Sequence, residues 1–367
     1  MKITFPHMGN MHIAVKALFK ELKIETIPPP PVSQRTLELG VKYSPEFACL
    51  PLKVNVGNFI EAMEIGADTI LMAGGWGPCR FGYYAQIERD ILNDLGFSFD
   101  MIILEAPESR VTDLLNQLRL IGENVSIWQM VKAVNYTWHK LKAIDYWEKC
   151  YERYLGPALD KQAVNDLYNQ GLQQIDEADT KQKVTRTLQE LETQIKQIPQ
   201  HNKPVLNIGL IGEVYTILEP ATNYNIIRQL GELNVTISRS IYMSDWVNDH
   251  LLKGMVIKSN HKHIVNCAEP YLNYWVGGHG QETIGYAVDF ARQKYDGLIQ
   301  IGPLTCMPEI VAQSILGKVS IEQGIPCMTL YFDEHSGTAG ISTRLEAFVD
   351  MLGRKQVGQQ IISEGGF

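Results

Sequence analysis

The chain has 367 residues, with 33 Lys and Arg against 41 Asp and Glu, a formal net charge of −8. Such a length suits roughly two domains, and 45% hydrophobic against 20% charged residues permits a sizeable core and excludes wholesale disorder. The acidic balance argues against nucleic acid or an anionic membrane as main partner. No apolar run approaches the ~18–20 residues of a membrane span, and an opening segment broken by Pro6, Gly9 and His12 makes a poor signal peptide, so a cytoplasmic protein is expected.

The first ~120 residues alternate short strand-like and helical runs. Strands are expected at Lys2–Phe5, Ile24–Ile27, Ala67–Met72 and Met101–Leu104, with helices at Ile13–Leu22 and Asn58–Ile65. Strands separated by single helices imply βαβ units and a largely parallel sheet, and the lack of polar alternation fits a sheet covered on both faces. From about Ser126 one apolar helical stripe runs through Val131, Val134, Trp138, Leu141, Ile144, Trp147, Tyr151 and Tyr154. Residues 160–200 are polar and poor in Gly and Pro, which suits helices better than a flexible linker. A second α/β run then predicts strands at Val205–Ile211, Asn234–Tyr242, His263–Asn266, Leu298–Ile301 and Met328–Phe332. Its helices fall at Thr283–Gln293, Glu309–Ile315 and Thr343–Leu352. The expected organisation is an N-terminal α/β lobe over 1–124, a helical connection over 125–202 and a C-terminal α/β lobe over 203–367. The fold class is α/β, with two Rossmann-like open parallel sheets and a crevice between lobes.

Cysteine placement carries the first chemical signal. The six cysteines, 49, 79, 150, 267, 306 and 327, form no C-x-x-C pair, so zinc-ribbon and thioredoxin-like motifs are excluded. Ligands of open α/β sheets sit beyond the carboxyl ends of strands. Cys79, in GGWGPCRFGYY, and Cys306, in GPLTCMPE, each follow a predicted strand there, and Cys49 precedes a helical stretch. Pro308 reads as a first helical position, which places Cys306 at the positive end of a helix dipole. Arg80 beside Cys79 stabilises negative sulfur, so thiolates are expected at these positions. Gly74, Gly75 and Gly77 leave room for a bulky inorganic group. Soft thiolates in a glycine-lined crevice suit an iron–sulfur cluster better than a hard cation, and three of them leave one iron open. Inert core thiols remain the alternative.

Five strings resemble the 2-hydroxyacyl-CoA dehydratase and benzoyl-CoA reductase superfamily: VKYSPEFACLPLK, GPCRFGYY, YLNYWVGGHGQETIGYA, DGLIQIGPLTCMPEIVAQSI and FDEHSGTAGISTRLEAFVDML. The branch labelled CoA protein activase is the most similar, although no P-loop and no actin-like phosphate motif is present. The resemblance implies a 4Fe–4S cluster between two lobes, held by Cys49, Cys79 and Cys306. It implies reduction by a separate ATP-hydrolysing activator, an anaerobic setting, and a homodimer or a heterodimer with a related subunit. In the dehydratases the electron makes a ketyl radical from a 2-hydroxyacyl thioester, so acyl-CoA is the implied substrate class. Relatives carrying a double-cubane, eight-iron cluster reduce other small molecules.

Further candidates surround the cysteines. Gly277, Gly278, His279 and Gly280 precede a helix, where a glycine turn either holds an anion or needs positive φ. Gly77, Arg80, Gly278 and Gly280 are the cofactor-contacting candidates. His279, Glu309 and His335 are candidates for proton transfer, against packing, helix-capping or interlobe ion-pair roles for these residues and for Asp333 and Glu334. Cys267, placed just after a predicted strand, is a candidate fourth ligand. Cys150 falls on an apolar helical stripe and Cys327 at the amino edge of a strand, both away from the crevice. Competing readings are a lyase or reductase component, an electron-transfer or scaffold protein, and a binding module with structural cysteines.

Overall fold

The computed structural model describes residues 1–75, 77–104, 125–251 and 259–364. Trp76 of the GGWGPC string and residues 105–124 of the expected N-terminal lobe lie outside the described residues.

Two four-stranded sheets, each wholly parallel, form the frame. The first orders β1 (Lys2–Thr4), β2 (Glu25–Thr26), β3 (Thr69–Ala73) and β4 (Asp100–Leu104) as β2-β1-β3-β4. The second orders β5 (Leu206–Gly212), β6 (Val235–Arg239), β7 (Gly297–Pro303) and β8 (Cys327–Phe332) as β6-β5-β7-β8. Renumbered, the two orders are identical: chain order reverses beside the first strand of each sheet. That reversal opens a crevice at the carboxyl ends of β1 and β3, and of β5 and β7. Continuous apolar runs put β7 in the interior along its whole length, as helices on both faces require.

One expected strand is absent. His263–Asn266 belongs to the helix His261–Ala268, whose buried Ile264, Cys267 and Ala268 recur at helical spacing. A single turn of apolar residues is too short for periodicity to separate helix from strand. The Asn58–Ile65 helix also starts earlier, at Leu50, with Pro51 in its first turn and Cys49 as N-cap.

Three helices, Ile127–Leu155, Lys161–Glu177 and Lys181–Gln197, fill the section between the sheets. Each starts on a capping side chain: Ser126 accepts from the Gln129 N–H, Asp160 from Ala163 and Thr180 from Lys183. Trp147 is fully buried, and its indole donates to the Tyr168 carbonyl at 3.0 Å. Around it one core joins Ala14, Ala17 and Val54 to Ile208, Leu230 and Val235. The stripe is internal along most of the helix, whereas Trp128 at its start is 83% exposed. Among the described residues, no helix is long and apolar enough to cross a membrane.

Polar contacts fix one lobe on the other. Glu219 accepts from the Gly9 N–H at 2.8 Å and pairs with His7 Nδ1 at 2.7 Å, and Tyr215 donates to the His7 carbonyl at 2.8 Å. Lys53, 2% exposed, is paired with Glu334 across the lobes and donates to the Glu46 carbonyl at 2.8 Å. Removing one partner of such a pair strands a charge in the interior.

Glu88, on the helix Tyr84–Asp94, is wholly buried, and its one hydrogen bond among the described residues is from Asn55, whose Nδ2 donates to Oε1 at 3.3 Å. Oε2 has no partner among the described residues. Burial therefore lifts this carboxyl from 4.5 to about 8, with the Asn55 hydrogen bond pulling slightly down. Between those two values the folded chain holds a proton that the unfolded chain releases, so stability falls as pH rises through that window. Glu88→Gln, which cannot ionise, should melt higher than the parent at pH 8, with the difference vanishing near pH 4.5. Thermal unfolding across pH 4.5–8.5 measures it; parallel curves for the two proteins would show that Glu88 is not the titrating group.

Candidate metal centre

Three cysteines stand at the first position of three helical segments. Cys49 is the N-cap residue of Leu50–Glu64, Cys79 that of the short 3-10 turn Arg80–Tyr83 after β3, and Cys306 that of Met307–Gln323 after β7, none with a side-chain capping bond. Cys79 and Cys306 thus occupy corresponding places in the two sheets, each past the third strand. Cys49 lies near enough to both to feel the charge of Cys79 and to raise the Cys306 thiol by its own.

One side chain ties the three segments together. Arg80 donates from Nη1 to the Phe47 carbonyl at 3.0 Å, and from Nη2 to the carbonyl and hydroxyl of Thr305, both at 2.9 Å. Phe47 lies two residues before Cys49 and Thr305 directly before Cys306. A planar guanidinium with five fixed donors spans both targets at once. Thr305 pays for this with φ +70°, a conformation costly for a β-branched residue.

The glycines are explained by close approach. A Cβ on Gly77, at φ +95°, would lie 2.3 Å from the Trp275 ring. Gly277 presses on Pro78 and the Cys79 nitrogen, at 3.0 and 3.2 Å from its notional Cβ. Gly278 and Gly280 press on Pro308, at 3.1 Å from its ring and 2.5 Å from its carbonyl. The 277–280 turn is therefore a wedge that seats the Cys79 and Cys306 loops, with positive φ at Gly277 and Gly278. The tight-turn reading accounts for these contacts.

Electrostatics correct the expectation of ready thiolates. Burial pushes the Cys49, Cys79 and Cys306 thiols up, Cys306 most strongly. Glu309 and then Glu213 raise Cys306 further, and Glu213 raises the other two. Arg80 lowers Cys49 and Cys79, and the Tyr84 hydroxyl, in contact with Cys49 Sγ, lowers that thiol too. Helix ends and Arg80 are thus outweighed by desolvation. Three neutral soft donors beside a carboxylate suit a multiply charged, thiophilic metal group, whose own charge would ionise them.

Glu213 was not singled out from sequence, where it is one acid among many. It follows β5 at Gly212, whose φ of +134° brings it against the Ile301 carbonyl. Its carboxylate caps its own short helix, accepting from the Tyr215 and Thr216 amides at 2.9 and 2.8 Å, and its pKa is raised by burial.

The proton-transfer candidates separate. Glu309 is fully buried, bonded to Thr283 Oγ1 at 3.0 and 3.1 Å and to Gln300 Nε2 at 2.9 Å, and lifted by burial to about 8. It joins two helices to β7 behind Cys306. His279 is the half-buried N-cap of Gly280–Arg292, beside Glu282. His335 is exposed on a turn where its amide donates to Asp333 at 3.0 Å, and its neighbour Glu334 makes the interlobe pair.

The other cysteines lie elsewhere. Cys150 packs in the helical section and Cys327 opens β8 opposite Leu298, five residues before the Pro303 end of β7. At ~3.3 Å per residue that is roughly 16 Å from the crevice edge. Cys267 is on a helix, not a strand edge, and faces His263 and Arg292, so the strand-end placement that made it a fourth-ligand candidate does not hold.

The chain is thus an α/β protein of two parallel-sheet lobes, with Cys79 and Cys306 placed just past the third strand of each. The 2-hydroxyglutaryl-CoA dehydratase D-component family model matches residues 127–352, and the chain belongs to that family. A search of curated proteins finds no match.

Arg80→Ala should free the three segments from one another. Alkylation of Cys49, Cys79 and Cys306 in metal-free protein, followed residue by residue by mass spectrometry, should speed up several-fold while Cys150 is unchanged. Arg80→Lys, a single point donor, should not restore protection. Unchanged labelling in Arg80→Ala would refute the tie.

Proposed function

We propose that this chain is the iron–sulfur-bearing component of a dehydratase-like or reductase system. A single 4Fe–4S cluster is held by Cys49, Cys79 and Cys306 and reduced by an ATP-hydrolysing activator. The observation that carries the reading is that Arg80 ties together the segments of three cysteines, each at the N-cap position of a helical segment, from both lobes. Membership of the dehydratase D-component family supports it independently. Three thiols, with Cys150, Cys267 and Cys327 placed elsewhere, favour one cubane over an eight-iron group.

When bound, the cluster supplies a store for one low-potential electron. The chain's residues do the rest. The lobes leave the three cysteines half-buried, and the Tyr84 hydroxyl contacts Cys49. Glu213 and Glu309 lie buried near Cys306, and burial keeps the Glu309 carboxyl protonated up to about pH 8. Exposed Phe47, Tyr83, Trp275, Leu304 and Met307 surround the cysteine segments and give a protein partner, the activator or a related subunit, an apolar seat. The substrate class, taken from the family, is a small molecule with acyl-CoA first.

Anaerobically purified protein should hold about four irons and four sulfides per chain. Cys49→Ser, Cys79→Ser and Cys306→Ser should each lose most of the iron and the visible charge-transfer absorbance, with circular dichroism preserved, whereas Cys150→Ser and Cys327→Ser keep both. Full iron in all three crevice variants defeats the ligand assignment, and about eight irons per chain defeats the single cubane. Reduced, iron-loaded protein that turns over no acyl-CoA or other reducible substrate would instead indicate an electron carrier.

A further inference from the structure

A second group of ligand-type side chains lies on the seam between the helices His261–Ala268 and Gly280–Arg292, apart from the three crevice cysteines. His263 and Cys267, one turn apart, face Asp289 of the other helix. His263 Nε2 is 2.9 Å from Asp289 Oδ1 and 3.7 Å from Cys267 Sγ. All three donor atoms lie within 4.8 Å of one another. We propose that this His263–Cys267–Asp289 cluster is a binding site for one divalent transition-metal ion, zinc by its ligand set.

The close approach is built into the backbone. A Cβ on Gly285 would lie 2.2 Å from the Ile264 carbonyl, so only glycine lets the helices pack this tightly. Asp289 stands one turn beyond Gly285 and is thereby brought opposite His263. Tetrahedral zinc with bonds of ~2.0–2.3 Å needs donors about 3.3–3.8 Å apart. The sulfur–nitrogen separation is already in that range, and the His–Asp contact opens by under an ångström. Three protein ligands, one each of sulfur, nitrogen and oxygen, leave a fourth position for water, and His263, 53% exposed, keeps an entry path.

Two details favour a metal over the alternatives. Sulfur and carboxylate face the same ring nitrogen of His263, as ligands of one ion do. A Cys-His-Asp relay would place them on opposite ring nitrogens. Asp289 is held from outside: Gln293 Nε2 donates to Oδ2 at 2.6 Å and leaves Oδ1 toward the site. Arg292, exposed, donates to Cys267 Sγ at 3.3 Å and is a cation that opposes a bound ion. With an ion bound it either stays as a donor to the thiolate or swings to solvent.

The test counts metal and does not involve activity. Full-length chain carrying Cys49→Ser, Cys79→Ser and Cys306→Ser, which removes the competing crevice thiols, is titrated with Zn2+ and Co2+. One equivalent should bind, with a near-ultraviolet sulfur-to-cobalt charge-transfer band. Cys267→Ser should abolish the band. His263→Ala, at an exposed position that leaves packing intact, should weaken zinc at least tenfold, and Gln293→Ala by about tenfold. Arg292→Ala should bind zinc at least as tightly as its parent. Iron-loaded parent protein dialysed against zinc should retain one zinc per chain, and His263→Ala none. No zinc bound at micromolar concentration, or binding undiminished by Cys267→Ser and His263→Ala, overturns the site. Because the crevice cysteines are absent from the titration, this outcome is independent of the cluster assignment.

Discussion

The reach of one guanidinium organises this protein. Arg80 is fixed by sequence beside Cys79, and its two hydrogen-bonding edges fall on the residues that precede Cys49 and Cys306. Segments that lie 33 and 225 residues from Arg80 along the chain are thereby held in one arrangement. The strained Thr305, whose carbonyl and hydroxyl both face Arg80, shows that this geometry is imposed by the surroundings rather than adopted freely. Such a fork cannot be replaced by a point charge without giving up one of the loops.

The electrostatic character of the crevice follows from the same packing. Helix N-termini alone would make the thiols acidic, yet burial and the Glu213 and Glu309 carboxylates push them the other way. A site that disfavours its own ionised donors has a strong preference for a highly charged occupant. Glycines at 277, 278 and 280 contribute by shape, wedging the Cys79 and Cys306 loops against two prolines.

The duplicated sheet order explains why the site lies where the lobes meet. Cys79 and Cys306 leave corresponding strands, so facing the two carboxyl edges toward each other brings them together. The Lys53–Glu334 pair and the Glu219 contacts with His7 and Gly9 then lock that orientation. The long helix Ile127–Leu155 supports both halves from behind, and its core is continuous with each.

By itself the sequence determined the parallel-sheet class and most strand positions, and it placed Cys79 and Cys306 just past strands. Apolar strand runs, intervening helices and Cys-Pro pairs at strand ends are local patterns with local causes. It misplaced Cys267 because HKHIVNCA is too short for its period to show, and only packing of Ile264 and Cys267 against the next helix makes it helical. It expected thiolates because an N-cap is visible in sequence while desolvation is not. Glu213, the buried role of Glu309, the Arg80 tie to Phe47 and Thr305, and the meeting of His263 with Asp289 were decided by tertiary structure alone. Each depends on groups far apart in the chain, whose proximity is set by how helices and lobes close on one another rather than by any spacing along it.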